Sequence, residues 1–436
     1  MAAADWETAV TRRALFFPSC GGQGFGHLNR CLLLAQALNR RGWDARLCVT
    51  PARAAALAGR GVDLICVPEL DYSRPGSSAA PAYTCLSNGN LQALRDGFTS
   101  FPRVARSVYA AENAVRTFRP DTIVGDLSLL AWIVGQRLGI RVAQMVRSII
   151  HPEAHQIFWW RPPPTADQPP DIRPVFNPLL RWWKLSRVNS VEDLMQGDLY
   201  LVPSIPSLDP LPHGLENTHY TGPLIDPAAA ATLLPDDFPS RENGRVIYVT
   251  FGGGAGLEQA RPLLDALQKA VSGSGWQMAL SGGGRVDSRA LADFGAFRIF
   301  DWLPGPSAIR ASDCVVYHGG QNTTLELAAA GVPGLALPFQ SEQESNGRRL
   351  EQQGAGRVIS PLDGGEMRVI RSRRWYRPFQ TCIVPEFAPD PAALRAALST
   401  LLEQPEFREN AQRLRQEAGR YGGVELAADL LERNQG

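Results

Sequence analysis

The chain has 436 residues, 44% of them apolar and 20% charged, with a formal net charge of +1 at neutral pH. These figures describe an ordinary globular protein too long for one core, so two domains are expected. The small net charge offers no footprint for nucleic acid, and no run reaches the ~18 apolar residues of a membrane span. The first residues, MAAADWETAV, have neither a basic n-region nor an apolar h-region, which argues against a secretory signal. The seven cysteines are scattered and never spaced C-x-x-C. Cys48 in ARLCVT and Cys66 in VDLICVP read as buried small hydrophobes in a reducing compartment, and the cytoplasm is the expected location.

Short β-branched runs alternate with helical patterns, the signature of parallel sheets in an α/β architecture. The first set of strands reads ALFFPSC, ARLCVT, VDLICVP, TIVGD, IRVAQMV and LYLVPS, and residues 1–223 form a first domain. FFPSCGGQGFGHLNRCLLLAQAL (16–38) is a strand, a glycine loop and an apolar-striped helix that begins near His27. Gly22, Gly24 and Gly26 do not reproduce G-x-G-x-x-G, and no acid stands near the end of the second strand, which excludes a dinucleotide fingerprint. Residues 151–196 break the alternation with aromatics and prolines. Phe158, Trp159 and Trp160, with Trp182 and Trp183 further on, are candidates for lining an apolar pocket; core packing and membrane-surface contact are the other uses of such rings.

Residues 224–243, proline-rich and without a period, read as a linker. The second set of strands, RVIYVTFG, WQMALSG, FRIFDW, CVVYHGG, GLALPF and GRVIS, defines a second domain over 244–420. Closing helices are expected near 391–403, 406–420 and 424–433, and the segment 421–436 is a candidate to pack back on the first domain. Residues 363–388 carry five arginines in MRVIRSRRWYR. Such a run can bind an anion, but a solvated hairpin or a subunit contact is its commoner use.

The densest chemistry lies in YHGGQNTTLELAAAG. CVVY is a buried strand, His318-Gly319-Gly320 a turn, and Asn322-Thr323-Thr324 the start of a helix closed by Gly331. A helix N-terminus presents unpaired N–H groups and partial positive charge, and glycines before it let an anion approach the backbone. An ordinary strand–turn–helix capped by Asn and Thr is the alternative. Glu326 lies one turn beyond Asn322 on the same face, where a carboxylate can accept from ribose hydroxyls. Glu342 and Gln343 follow the next strand, Gly252, Gly253 and Gly254 close another, and Trp302 offers a flat face after FRIFDW. Diphosphate, ribose, sugar and base would all be served by this set, which points to a nucleotide sugar.

The stretch His318–Gly356 resembles the donor-binding signature of the UDP-glycosyltransferase superfamily, through HGG, N-T-T-L-E, GVP, Glu342-Gln343 and G-A-G. LVPSIPSLDPL with HYTGPL (201–224) resembles the family's stretch before its linker. The resemblance implies a GT-B fold: two Rossmann-like parallel-sheet domains facing across a cleft, with C-terminal helices. It implies that His318, Gly320, Asn322 and Thr323 hold diphosphate, Glu326 the ribose, Glu342 and Gln343 the sugar, and Trp302 the base. Glu342 stands where the family often has Asp, Gln321 where small residues are common, and the arginine-rich insert has no counterpart.

The same resemblance makes His27 the general base and Asp126, closing TIVGD, its partner. A histidine can take a proton from an attacking hydroxyl, and a carboxylate fixes its tautomer. Helix capping is the bland use of each: His27 for its own helix, Asp126 for the one that follows. Arg30 and Asn29 are weaker candidates for the same cleft. No D-x-D occurs and the six histidines lack ligand spacing, so no metal and no cofactor beyond the donor is expected. The expected activity is inverting transfer from a UDP- or dTDP-sugar to a small apolar natural product or lipid, with peripheral membrane contact allowed and closure of the lobes around the cleft. A nucleotide-sugar epimerase and a non-catalytic nucleotide-binding partner are the other two classes.

Overall fold

The structure, a computed structural model, describes residues 11–19, 25–71, 80–154, 160–252, 257–283, 291 and 294–434. Strands β1 (Arg13–Pro18), β2 (Asp44–Val49), β3 (Leu64–Cys66) and β4 (Tyr83–Thr84) come first. They are followed by β5 (Thr122–Asp126), β6 (Arg141–Met145), β7 (Leu199–Val202) and β8 (Thr218–Tyr220). The second half supplies β9 (Val246–Thr250), β10 (Gln277–Ser281), β11 (Phe297–Phe300), β12 (Cys314–Tyr317), β13 (Gly334–Ala336) and β14 (Gly356–Val358). A hairpin of β15 (Arg368–Ser372) and β16 (Phe379–Val384) comes last.

Two parallel sheets result, in the order β3-β2-β1-β5-β6-β7-β8 and β11-β10-β9-β12-β13-β14. Central strands such as β5, β9 and β12 are buried along their whole length, which explains why they read as continuous apolar runs rather than alternating ones. Strand order reverses between β1 and β5 in the first sheet and between β9 and β12 in the second. Crevices at the carboxyl ends of such strand pairs are where open α/β sheets bind ligands.

The halves are joined by more than the linker. β16 pairs antiparallel with both β15 and β4, so a strand from each half shares one small sheet. Thr84 bridges to Gln340 and Gln168 to Gln380. The closing helices run Pro391–Glu403, Pro405–Ala418 and Val424–Arg433. The last one crosses back: Ala427, Ala428 and Leu431 enter the core beneath the first helix, Gly26–Arg40, with Leu28, Leu34 and Leu38. Arg41 ties it down through Glu425, Asp429 and Glu432. A wide hinge opening about residues 224–243 would have to break the shared sheet.

Three expectations change. Cys66 is exposed rather than buried, because β3 is the outer strand of its sheet; Cys48, on β2, is buried. Glu342 and Gln343 stand in the first turn of a helix, Ser341–Gln352, rather than at a strand end. The arginine-rich insert is a hairpin as expected of a charged run, yet part of it is structural: on β16 the Cys382 N–H bonds to Asp167, and in the turn the Trp375 indole donates to the Asp171 carbonyl at 2.9 Å.

Candidate active site

β1 delivers His27 at the start of the first helix, and β5, its parallel neighbour in register from Ala14–Thr122 to Pro18–Asp126, ends on Asp126. The His27 Nδ1 lies 2.8 Å from Asp126 Oδ1. Asp126 is buried, whereas the His27 side chain is one-third exposed. Neither residue caps a helix: the first helix has Phe25 at its N-cap, the helix Ala131–Leu138 has Leu130, and neither end has a side-chain cap. With hydrogen on Nδ1, the imidazole donates to Asp126 and Nε2 keeps a lone pair for an incoming proton.

Arg30, one turn along from His27, is buried and completes the pair. Its Nε donates to Asp126 Oδ2 at 3.0 Å and its Nη2 to Oδ1 at 2.9 Å; Nη2 also lies 2.8 Å from His27 Nδ1, and with hydrogen on that nitrogen it serves Asp126 alone. Burial by itself would raise the Asp126 carboxyl, but Arg30 and His27 outweigh it and hold the group at about 2. The carboxylate is therefore charged throughout the neutral range. Nη1 of Arg30 reaches the other half of the molecule, donating to Asn322 Oδ1 at 2.9 Å and to Gln321 Oε1 at 3.1 Å. One guanidinium thus touches both the His–Asp pair and the mouth of the helix Gln321–Ala330.

That helix follows β12. Gly320 is its N-cap, and no side chain caps it, so Asn322 and Thr323 lie within its first turn and do not act as caps. Its first N–H groups are left for another acceptor. Gln321 also holds a buried Nε2 that has no partner among the described residues. The glycines here make room for protein as well as for any anion. A side chain at Gly320 would meet the His318 ring at 2.3 Å, one at Gly252 would meet it at 3.0 Å, and one at Gly319 would meet the Gln343 carbonyl at 2.2 Å. Gly252 and Gly319 also adopt positive φ. His318 is packed between the two strand ends, where burial drives its imidazole down to about 4 against the pull of Glu342 and the Thr250 backbone. It is neutral at pH 7 and can donate without carrying charge.

Glu326 faces Gly305, its Oε2 3.5 Å from where a Cβ would stand, and no hydrogen bond reaches it among the described residues. Burial lifts its carboxyl to about 7. Trp302, just past β11, is 61% exposed and offers a free ring face. Glu342 is already engaged: Oε1 accepts from Arg147 Nη1 at 2.6 Å and from Asn346 at 2.8 Å. Gln343 uses its Oε1 to accept from the Phe339 N–H at 2.8 Å. A sugar would meet Glu342 Oε2, which Gln340 Nε2 approaches at 3.5 Å, and the Gln343 amide, a narrower offer than two free polar side chains.

Gly253, Gly254, Phe158 and Trp159 lie outside the described residues. Trp160 packs over the Arg349 guanidinium at 5.9 Å, and its neighbour Arg161 pairs with Glu344. These contacts tie residues 160–161 to the Ser341 helix. Trp183 packs over Arg137, and Trp182 is exposed. Arg147, which joins Glu342 and Asp209, was not singled out from the sequence, and no local pattern marks it.

The family model that matches residues 285–363 is that of the glycosyltransferase family 28 C-terminal domain. The PGL/p-HBAD biosynthesis glycosyltransferase of Mycobacterium tuberculosis is 27% identical over 315 residues, 64% of this chain and 68% of that protein. The NDP-glycosyltransferase YjiC of Bacillus subtilis is 23% identical over 346 residues, 76% of this chain and 81% of its own. The glycosyltransferase of kitacinnamycin, a solved structure, superposes with a TM-score of 0.70 at 19% identity, covering 98% of this chain and 99% of its own. The family model, these relatives and the solved structure together support the glycosyltransferase superfamily, and the fold is GT-B. In this glycosyltransferase the two switch points face each other, and Arg30 spans the gap between them. Among the described residues no helix is long and apolar enough to cross a membrane.

Proposed function

We propose that this glycosyltransferase moves a sugar from a nucleoside-diphosphate donor, UDP- or dTDP-linked, to a hydroxyl of a small apolar natural product or lipid, with inversion and without a metal. His27 takes the hydroxyl proton on Nε2 as the oxygen attacks the anomeric carbon, and Asp126 holds the imidazole and stabilises its charged form. The leaving diphosphate rests on the open end of the Gln321 helix beside His318, where preorganised N–H groups stabilise developing charge. Glu326 accepts from the ribose, Trp302 stacks on the base, and Glu342 and Gln343 contact the sugar. The observation that carries this reading is the His27–Asp126 pair, at 2.8 Å, held opposite that helix end by Arg30. The name of the Bacillus subtilis relative, an NDP-glycosyltransferase, supports the donor class.

The test begins with thermal-shift screening of UDP- and dTDP-sugars, followed by acceptor screening with the best donor and NMR of the product's anomeric configuration. His27→Ala is expected to lower turnover by about 10²–10⁴-fold while donor binding survives. Activity is expected to persist in chelator. Retention of configuration, strict need for added magnesium, or unchanged turnover in His27→Ala would each overturn the mechanism. Conversion of the donor without any acceptor would favour the epimerase.

A further inference from the structure

The arginine-rich hairpin has no part in that chemistry. We propose that β15 and the turn after it form a docking surface for an anionic lipid bilayer. β15 is the outer strand of its sheet, and every residue from Glu366 to Arg371 is exposed, so neither of its faces is covered. Met367, Val369 and Ile370 are 48%, 50% and 46% exposed, and Tyr376 in the turn is 65% exposed. Interleaved with them stand Arg368, Arg371, Arg373, Arg374 and Arg377, with Glu366 the single acid of the segment 366–377. The segment is held firmly from below: Trp375 is buried with its indole on the Asp171 carbonyl, and β16 is paired on both sides.

Arginines alone would be explained as guards of an open sheet edge against pairing with another chain. Exposed aliphatic side chains on that same strand work against such a guard, and they need an apolar environment of their own. Aliphatic and tyrosyl groups set among guanidinium groups match the boundary of an anionic bilayer, where rings and chains enter the interface and cations meet headgroup phosphates. A second copy of the chain fits less well, because edge-to-edge pairing of two β15 strands would bring like-charged arginine rows together. Nucleic acid would leave Met367, Val369 and Ile370 without a use. The position is also apt: β16 adjoins β4, and Thr84 of β4 bridges to Gln340, two residues before Glu342. A bilayer held here would lie beside the cleft.

The experiment is co-sedimentation of the full chain with vesicles of phosphatidylcholine alone or mixed with an anionic phospholipid. Binding is expected on the mixed vesicles only, and it should weaken as salt rises. Each guanidinium near such a surface contributes about 5-fold in affinity, so the triple variant Arg371→Gln, Arg373→Gln, Arg374→Gln should lose on the order of 100-fold. The double variant Val369→Ser, Ile370→Ser should bind more weakly while keeping the parent's salt dependence. All these positions are exposed, so melting curves matching the parent's are expected and serve as the folding control. Equal binding to neutral and anionic vesicles, or a triple variant that binds like the parent, would overturn the proposal. So would a concentration-dependent dimer that the triple variant dissolves in a chain that ignores vesicles, which would give the surface to a second copy.

Discussion

Glu326→Gln isolates a single proton. In the folded chain the Glu326 carboxyl titrates at about 7, against an ordinary value of 4.5. Between those two pH values the folded state keeps a proton that the unfolded state has released. Stability therefore falls as pH rises through that window, and above it the loss is complete and no longer changes with pH. Each tenfold change in proton affinity corresponds to about 1.4 kcal/mol, which sets a ceiling of about 3 kcal/mol on the loss. The side chain retains some solvent contact, and screening reduces the expected value to about 1–2 kcal/mol. Glutamine keeps the shape and cannot ionise. The variant should match the parent near pH 5 and melt higher at pH 8, by roughly 1–3 °C in a chain of this size. Scanning calorimetry across pH 5–8 reads the difference directly. Donor affinity supplies a second readout with the opposite slope, because an ionised carboxylate is the stronger acceptor for ribose hydroxyls. Parent affinity should rise through about pH 7, and the variant should be flat and roughly 10-fold weaker at pH 8. Parallel melting curves for parent and variant at both pH values would refute the reasoning.

Arg30→Met leaves Asp126 buried without its guanidinium partner, the situation in which breaking a buried pair costs about 3–5 kcal/mol. Equilibrium unfolding should show that loss, and Arg30→Lys should recover only part of it, because a lysine cannot reach Asp126 and Asn322 together through a planar fork. His318 stays neutral down to about pH 4, while an unfolded histidine takes up its proton near 6.5. The unfolded state thus binds more protons between those values, and stability falls as pH falls through them; His318→Asn should flatten this part of the acid limb in pH-dependent melts.

The two sheets were legible because buried parallel strands read as unbroken apolar runs, and β5, β9 and β12 are of that kind. β4 and β8, at two and three residues, are too short to show a period, and β15–β16 sit in a charged insert in which β16 takes its second partner, β4, from the other half of the chain. The site divides along the same line. His27, Asp126 and the Gln321 helix follow strand ends, so local sequence marks them. The contacts between halves do not: Arg30 meets Asn322 across 292 positions and Arg147 meets Glu342 across 195. The one local sign of Arg30 was its place among Cys31, Leu32 and Leu34 on a helix whose neighbours are buried. A buried arginine needs acceptors on every side. Asp126 supplies two and the helix mouth supplies two more, from neutral amides. That division leaves the side facing the second domain the weaker one, since hydrogen bonds to charged acceptors are roughly twice as strong as those to neutral ones. An anion arriving at the helix mouth would therefore find a guanidinium whose existing partners there are the ones most readily displaced.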